Sequence, residues 1–539
     1  MKTQNRHDLN DVGGGTPAGL LSSRAGYCPE NAALEFEGRR YTYREYDREV
    51  SAVAAGLMGL GLKHGDAGSI FLSNCPGYVF AWLGMNRIGM VTVFVNTAYK
   101  GTFLSYGIEH SESKVVFTES ALLPELLALP SLPTALQLVV CLDGVPKEAR
   151  ERTGVRLIAL QDLLASAASE AEFPEVLAEH TAAISFTSGT TGKSKGAVTP
   201  GLLSVVMGKE AAGAFGLSAR DRLYTCMPLF HGMAQMTSVI ASIYAGASLT
   251  LSRRFSVRQF WDEVREARAT HFNLSGSMLY MLLSAPPTPR DNDHQVTRVF
   301  SAPAPADVLY RFEARYGIHL IEGYGQTEIK NVAYNPIHGR KVGSIGRPTP
   351  STILEIHDDA GAQVPPGVIG EIVYRPRQAN IMLKHYHGDP EATLANMKGL
   401  WWHTGDLGYM DEDGFLYFFD RKKDSMRRRG ENISSHELEA AVALFPGIGE
   451  VAAVAVPSDV GEDEVLGVIE YAGPKPFDFE GLFHYCVRSL PRFMVPRYYR
   501  VVDSLPRTPT GKVRKVELRQ EGVTSDTWDH VAAGLSVPR

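Results

Sequence analysis

Up to about Asp420, apolar positions alternate between two patterns: short apolar runs bounded by turn formers, and stretches in which apolar side chains recur at helical spacing. Residues 247–251 and 270–274 read as strands. Between them, Val257, Phe260, Trp261, Val264 and Ala267 share one face of a helix that Ser256 can cap. That is a βαβ unit, and its recurrence predicts an α/β fold with parallel sheets covered by helices. Further on, Val308, Leu309, Phe312 and Tyr316 line a helix stopped by Gly317. The strand 318–321 follows and ends at Glu322-Gly323-Tyr324-Gly325. Such sheets bind ligands beyond the carboxyl ends of their strands, so the residues after this strand are candidates for a site.

Past Asp420 the pattern changes. A helix around 437–444, strands at 451–456 and 465–471, and a helix near 482–490 predict a compact α+β unit. We therefore expect a large domain over 1–422 and a small mobile one over 423–539. A length of 539 residues agrees, because a single hydrophobic core does not organise so long a chain.

Composition narrows the function. With 44% hydrophobic and 21% charged residues and a net charge of −6, the chain has no basic footprint for nucleic acid. Any polyanionic partner must be met by a local site. The cysteines Cys28, Cys75, Cys141, Cys226 and Cys486 form no CxxC pair, which argues against a zinc site or a disulfide framework and fits a reducing cytoplasm. The first eight residues are polar and no run of about 18 apolar residues occurs, so neither an export signal nor a membrane span is expected. The final Ser536-Val537-Pro538-Arg539 is not a peroxisomal address.

After the apolar residues 182–186 comes Thr187-Ser188-Gly189-Thr190-Thr191-Gly192-Lys193-Ser194-Lys195-Gly196, without one apolar side chain. Glycines and small hydroxyl residues let backbone N–H groups converge on an anion, and the lysines add charge, so this loop suits phosphate. Gly192-Lys193-Ser194 matches the end of a Walker loop. That motif needs glycine where Thr187 stands, and a helix starting at the lysine, which Gly196 and Pro200 would weaken or break.

The loop resembles the phosphate loop of the adenylate-forming superfamily, which includes acyl-CoA synthetases, luciferases and peptide-synthetase adenylation domains. Further segments extend the resemblance in the same order: Tyr324-Gly325-Gln326-Thr327-Glu328, Trp402-His403-Thr404-Gly405-Asp406, Asp420-Arg421-Lys422-Lys423-Asp424, Gly430-Glu431-Asn432-Ile433 and Pro506-Arg507-Thr508-Pro509-Thr510-Gly511-Lys512. The chain is most similar to the acyl-CoA synthetase branch, with some likeness to carnitine and crotonobetaine CoA ligases. Ser194 stands where the family loop commonly has proline, and Pro200 where a histidine often follows.

This resemblance implies a ligase of fatty-acid type that activates a carboxylic acid with ATP as acyl-AMP and then passes the acyl group to coenzyme A. Thr187, Ser188, Gly189, Thr190, Thr191 and Lys195 would hold phosphates. Glu328 would hold Mg²⁺, a hard cation that takes few protein carboxylates. Tyr324, Gly325 and Thr327 would flank adenine, with Ser301, Ala302 and Pro303 on the other side, and Asp406 with Arg421 would take the ribose hydroxyls. Lys512 would be the catalytic lysine of adenylation, carried on the small domain, with a hinge at Lys423 and Gly430 on the thioester-forming face. Arg427-Arg428-Arg429 reads as a solvated charged run or as a contact for coenzyme A phosphates.

Residues 227–236 resemble the segment holding the gate of the acyl pocket, here His231; a core histidine at a strand end is the other reading. The methionines in this segment, with Met278 and Met281, predict an adaptable pocket for a short to medium acid. Lys330 and Asn331 would suit a substrate with a second polar group if they face inward. A carrier protein as acyl acceptor and a non-catalytic ligand-binding homologue remain the alternatives, and a homodimer is compatible with the resemblance.

Overall fold

The computed structural model describes residues 15–150, 154–166, 171–187, 194–428, 431–458, 463–471, 473, 476–508 and 511–538. Two large sheets dominate. In one, the strands Ala32–Phe36, Ser248–Leu251, Arg222–Thr225, His271–Ser275, Arg298–Ala302 and His319–Gln326 lie side by side and parallel, with antiparallel strands at both edges. In the other, a parallel core that includes Ala67–Ile70, Val91–Phe94 and Thr181–Phe186 is extended by Gly196–Pro200, antiparallel to Thr181–Phe186.

The helix Gly201–Ala214 is buried on most of its faces, as expected of a helix apolar nearly all round. Gly208 lets it approach its neighbour: a Cβ there would lie 2.4 Å from Ile240 Cγ2. That neighbour is a π-helix, Ala234–Ile240, a rare conformation often found at functional sites.

A third, antiparallel sheet contains Thr352–His357, Gly370–Pro376, Trp401–Met410 and Leu416–Arg421. Beyond it, Met426, Ile433, Leu438, Val451, Ile469, Leu482 and Tyr499 form a separate core beneath the four-stranded sheet that starts at Ile448. Among the described residues no helix is long and apolar enough to cross a membrane.

Two sequence expectations need correction. The helix expected from Val257 begins at Phe260, because residues 256–259 form a turn in which the Ser256 carbonyl accepts from both Gln259 and Phe260. The strand expected to end at Glu322 runs on to Gln326 and folds back as Lys330–Tyr334. Gly325 permits that return, since a Cβ there would lie 2.0 Å from the Lys330 carbonyl oxygen.

Candidate active site

The cleft is assembled from the carboxyl ends of both large sheets. Thr187 and Lys195 close the base of the phosphate-loop hairpin: Thr187 N–H donates to the Lys195 carbonyl at 2.9 Å, and Lys195 N–H donates to Thr187 Oγ1 at 3.3 Å. The Tyr106 hydroxyl donates to the Ser194 carbonyl at 3.1 Å. The loop leads into the strand Gly196–Pro200 rather than a helix, so the Walker geometry is not formed. Ser188, Gly189, Thr190 and Thr191 lie outside the described residues, as does Gly430.

Residues 383–387 tie this hairpin to the next one. Leu383 N–H donates to the Glu328 carbonyl, and Lys384 and His387 N–H donate to the carbonyls of Val198 and Gly196, each at 2.7 Å. Tyr386 thereby reaches Glu328, donating from its hydroxyl to Glu328 Oε1 at 2.6 Å, while the Lys195 ammonium sits 5.1 Å from the centre of the Tyr386 ring. One oxygen of Glu328 is fixed, and among the described residues the other accepts no hydrogen bond, which leaves it available for a cation. Among the described residues no three His, Cys, Asp or Glu side chains cluster, so a divalent ion at Glu328 would take its remaining ligands from phosphate oxygens and water, a donor set that suits Mg²⁺.

Asp406 lies directly across a strand pair from Arg421. Its Oδ2 accepts from the Tyr324 hydroxyl and from Gln326 Nε2, both at 2.7 Å. Its buried Oδ1 accepts no hydrogen bond among the described residues, although Arg421 Nε stands 3.3 Å away without the alignment for one. A buried carboxylate oxygen left open beside a guanidinium fits a hydroxyl donor such as a ribose. Glu371 steadies the adjoining turn, accepting from Gly405 N–H and from the Lys422 ammonium, each at 3.1 Å.

Tyr324 is buried, and the parallel neighbour strand Arg298–Ala302 brings Ala302 and Pro303 to the same edge of the sheet. Ser301 is fully buried, so its backbone and not its side chain belongs to that wall. Glu322 pins the wall by accepting from Ala304 N–H at 2.8 Å, and burial pushes its carboxyl up to about 8. Gly325 and Thr327 complete the hairpin tip above Tyr324.

Asn74 holds the segment that carries His231. Its buried amide donates to the Met227 carbonyl at 2.9 Å and accepts from Leu229 N–H at 2.9 Å. His231 meets solvent at the mouth of the cleft, but the protein around it pushes the imidazole down to about 4, and the Lys512 ammonium adds to that depression. Lys330 is buried, and burial pushes its ammonium down to about 8, partly offset by Glu328. Met227 and Met236 are buried near His231, whereas Met281 is half exposed on the surface.

Lys512 arrives from the C-terminal region on a tight loop closed by an Arg507–Val513 bridge, in which Thr508 N–H donates to the Lys512 carbonyl at 2.7 Å. Gly511, at φ 82°, supplies the left-handed turn. Lys512 is solvent-exposed, yet desolvation by the protein around it, with Arg421, lowers its pKa, and Asp406 opposes them. The lysine therefore stands within electrostatic reach of Arg421, Asp406 and His231 together. Arg428 is neither solvated nor open to a ligand: it pairs with Glu464 at 2.8 Å and donates to the Val495 carbonyl at 2.7 Å.

Tyr386, Glu371 and Asn74 were not legible as site residues, because each acts through a partner distant in sequence and none sits in a recognisable local motif; Gln326 and Glu322 lie in segments the sequence singled out, but their partners Asp406 and Ala304 are set by the fold.

Fold and cleft define an adenylate-forming enzyme. The AMP-binding enzyme family matches residues 21–386, and the AMP-binding enzyme C-terminal domain matches residues 437–512. The first match alone spans more than half of the chain, which therefore belongs to the AMP-binding enzyme family. It is 30% identical over 520 residues to the crotonobetaine/carnitine–CoA ligase of Salmonella typhi, covering 95% of this chain and 100% of that protein. The o-succinylbenzoate CoA synthetase of Bacillus subtilis, solved with its acyl-adenylate intermediate, is 26% identical with a TM-score of 0.80 over 93% of this chain and 97% of that one. ATP-bound MatB from Rhodopseudomonas palustris is 25% identical with a TM-score of 0.80 over 93% and 98%.

Proposed function

We propose that this cleft takes one carboxylic acid through two half-reactions. The chain is an AMP-forming acyl-CoA synthetase that uses ATP, Mg²⁺ and coenzyme A. In the first half-reaction a carboxylate oxygen attacks the α-phosphorus of ATP, the bond to the bridging oxygen breaks, and acyl-AMP and pyrophosphate result. In the second, the coenzyme A sulfur attacks the acyl carbonyl, the bond to AMP breaks, and the thiol proton passes to solvent.

Asp406 orients the ribose through the oxygen that Tyr324 and Gln326 leave open, and Tyr324 and the 302–303 wall enclose adenine. Thr187 and Lys195 anchor the loop that embraces the phosphates. Glu328 would hold Mg²⁺, which would supply neutralisation of phosphate charge. Lys512 offsets the negative charge that grows on the α-phosphoryl oxygens and steadies the attacking carboxylate.

Support comes above all from one observation: the Lys512 ammonium acts electrostatically on both Asp406, the candidate ribose carboxylate, and His231, the candidate acyl gate. We place the domain boundary at 422/423, with Lys423 as the hinge that later withdraws Lys512 for thioester formation. His231 gates a pocket for a short to medium acid and is uncharged at neutral pH. The work falls in the cytoplasm, where ATP and coenzyme A are both supplied, and one chain suffices to build the cleft whether or not a homodimer forms.

The test supplies ATP, Mg²⁺, coenzyme A and a panel of carboxylic acids and follows AMP, pyrophosphate and thioester separately. Equal yields of all three are expected. ADP as the nucleotide product would refute the mechanism, and acyl-AMP that discharges only onto a phosphopantetheinyl carrier protein would move the acceptor from coenzyme A to that protein.

A further inference from the structure

Lys330 occupies an unusual place for a lysine. It is 6% exposed, and its φ of 56° puts a long side chain in the left-handed region, where non-glycine residues are uncommon. Strain of this kind persists where the surroundings over-determine it, and it clusters at ligand sites. Among the described residues no hydrogen bond or ion pair reaches the ammonium, whereas the buried Arg428 of the C-terminal unit pairs with Glu464 and donates to the Val495 carbonyl. Glu328 is the carboxylate that acts on it electrostatically, yet Glu328 is bound by Tyr386.

The side chain ends beside the acyl-side segment. A Cβ placed on Gly232 would lie 3.5 Å from Lys330 Nζ and 3.7 Å from its Cδ, so the absent side chain at Gly232 leaves room for the ammonium immediately after His231. A buried cation without a partner is costly, and the cost falls when a ligand supplies the counter-charge.

We propose that Lys330 is a specificity residue that pairs with a second carboxylate on the substrate, making the preferred acid a dicarboxylic acid activated at one end only. This deepens the reading of residues 227–236 as the acyl pocket and rests on it. Crotonobetaine and carnitine are quaternary ammonium acids, and the same ammonium would repel their cationic group. The substrate would then differ in charge from that of the Salmonella ligase despite the likeness in sequence. An upstream reaction would have to supply a free diacid, and the product would be a thioester that still bears a carboxylate.

The experiment compares butanoate to hexanoate, succinate to adipate, and γ-butyrobetaine in pyrophosphate release with wild type and Lys330→Met. It also measures equilibrium binding of the same acids by calorimetry without ATP. Wild type is expected to favour the best diacid over its matched monoacid by about tenfold to a hundredfold in kcat/KM, the range of a charge-assisted hydrogen bond. Lys330→Met should lose that preference mainly through KM while keeping or improving monoacid turnover. Wild-type turnover of monoacids equal to that of diacids would overturn the proposal, as would a Lys330→Met variant that loses kcat equally on every acid, which would mean that Lys330 serves the reacting group. The wild-type comparison needs no variant to fold. The binding arm separates the two readings: diacid binding that depends on Lys330 without pyrophosphate release would sink the ligase assignment alone, and equal binding of monoacid and diacid would sink this one.

Discussion

The ribose end and the acyl end of the cleft satisfy their polar groups in different ways. At the ribose end Asp406 is gripped by Tyr324 and Gln326, Arg421 stands across the strand pair, and Glu371 fixes the turn beside it, so a single acceptor is left for ligand. At the acyl end Lys330 has no partner among the described residues, and His231 is held in its uncharged form. Preorganised hydrogen bonds serve a nucleotide that is the same in every turnover. In the proposed reading, the unmatched charge of Lys330 would serve the acid.

The largest effect expected from probing this contrast comes from Asp406→Ala. Removing the carboxylate strips the ribose of its acceptor and leaves the Tyr324 hydroxyl without its own, while the Gln326 amide keeps only the Thr404 carbonyl, so kcat/KM for ATP should fall about a hundredfold. Acid binding measured without nucleotide should stay unchanged, and a parallel loss there would erase the distinction between the two ends.

Gly325→Ala comes next and strikes both ends, because one hairpin carries Tyr324 and Lys330. The new Cβ would fall 2.0 Å from the Lys330 carbonyl oxygen, and the strands must part. Denaturant titration should show a loss of about 1–3 kcal/mol, the usual cost of overpacking. An unchanged midpoint would mean that the hairpin is looser than its close backbone approach implies.

The smallest effect is a pH dependence at the acyl end. The His231 pKa in the folded enzyme, about 4, lies below the ordinary 6.5, so the unfolded chain binds the proton more readily between those values. Its contribution to stability is therefore full above pH 6.5 and is lost as pH falls toward 4. Thermal melts across that window should decline less steeply for His231→Phe than for wild type. Identical slopes would show that the imidazole titrates as freely as in solvent.

Much of this molecule could be read from its residues. The α/β alternation is written in apolar spacing: the helix Ala306–Tyr316 and its stop at Gly317 appear where Val308, Leu309, Phe312 and Tyr316 place them. The motifs that nominate Thr187, Tyr324, Asp406 and Lys512 as site residues are local in sequence. The hairpin tip did not, because the return of the strand at Gln326 depends on close backbone approach at Gly325, which no hydrophobic pattern records. Tyr386 and Glu371 escaped for a related reason, since only the folded sheets bring them to Glu328 and Gly405. Lys330 was visible as a polar residue in an unlikely place, but its burial and its position against Gly232 required the structure.

The central claim is that a lysine on the C-terminal unit completes the adenylation site and is dispensable afterwards. Lys512→Ala tests it in one preparation, by measuring ATP–pyrophosphate exchange and, separately, thioester formation from supplied acyl-adenylate and coenzyme A. The account predicts that exchange falls about a hundredfold to a thousandfold, the range for losing one transition-state donor, while thioester formation stays near wild type. Equal losses in both half-reactions, or exchange that persists undiminished, would contradict it.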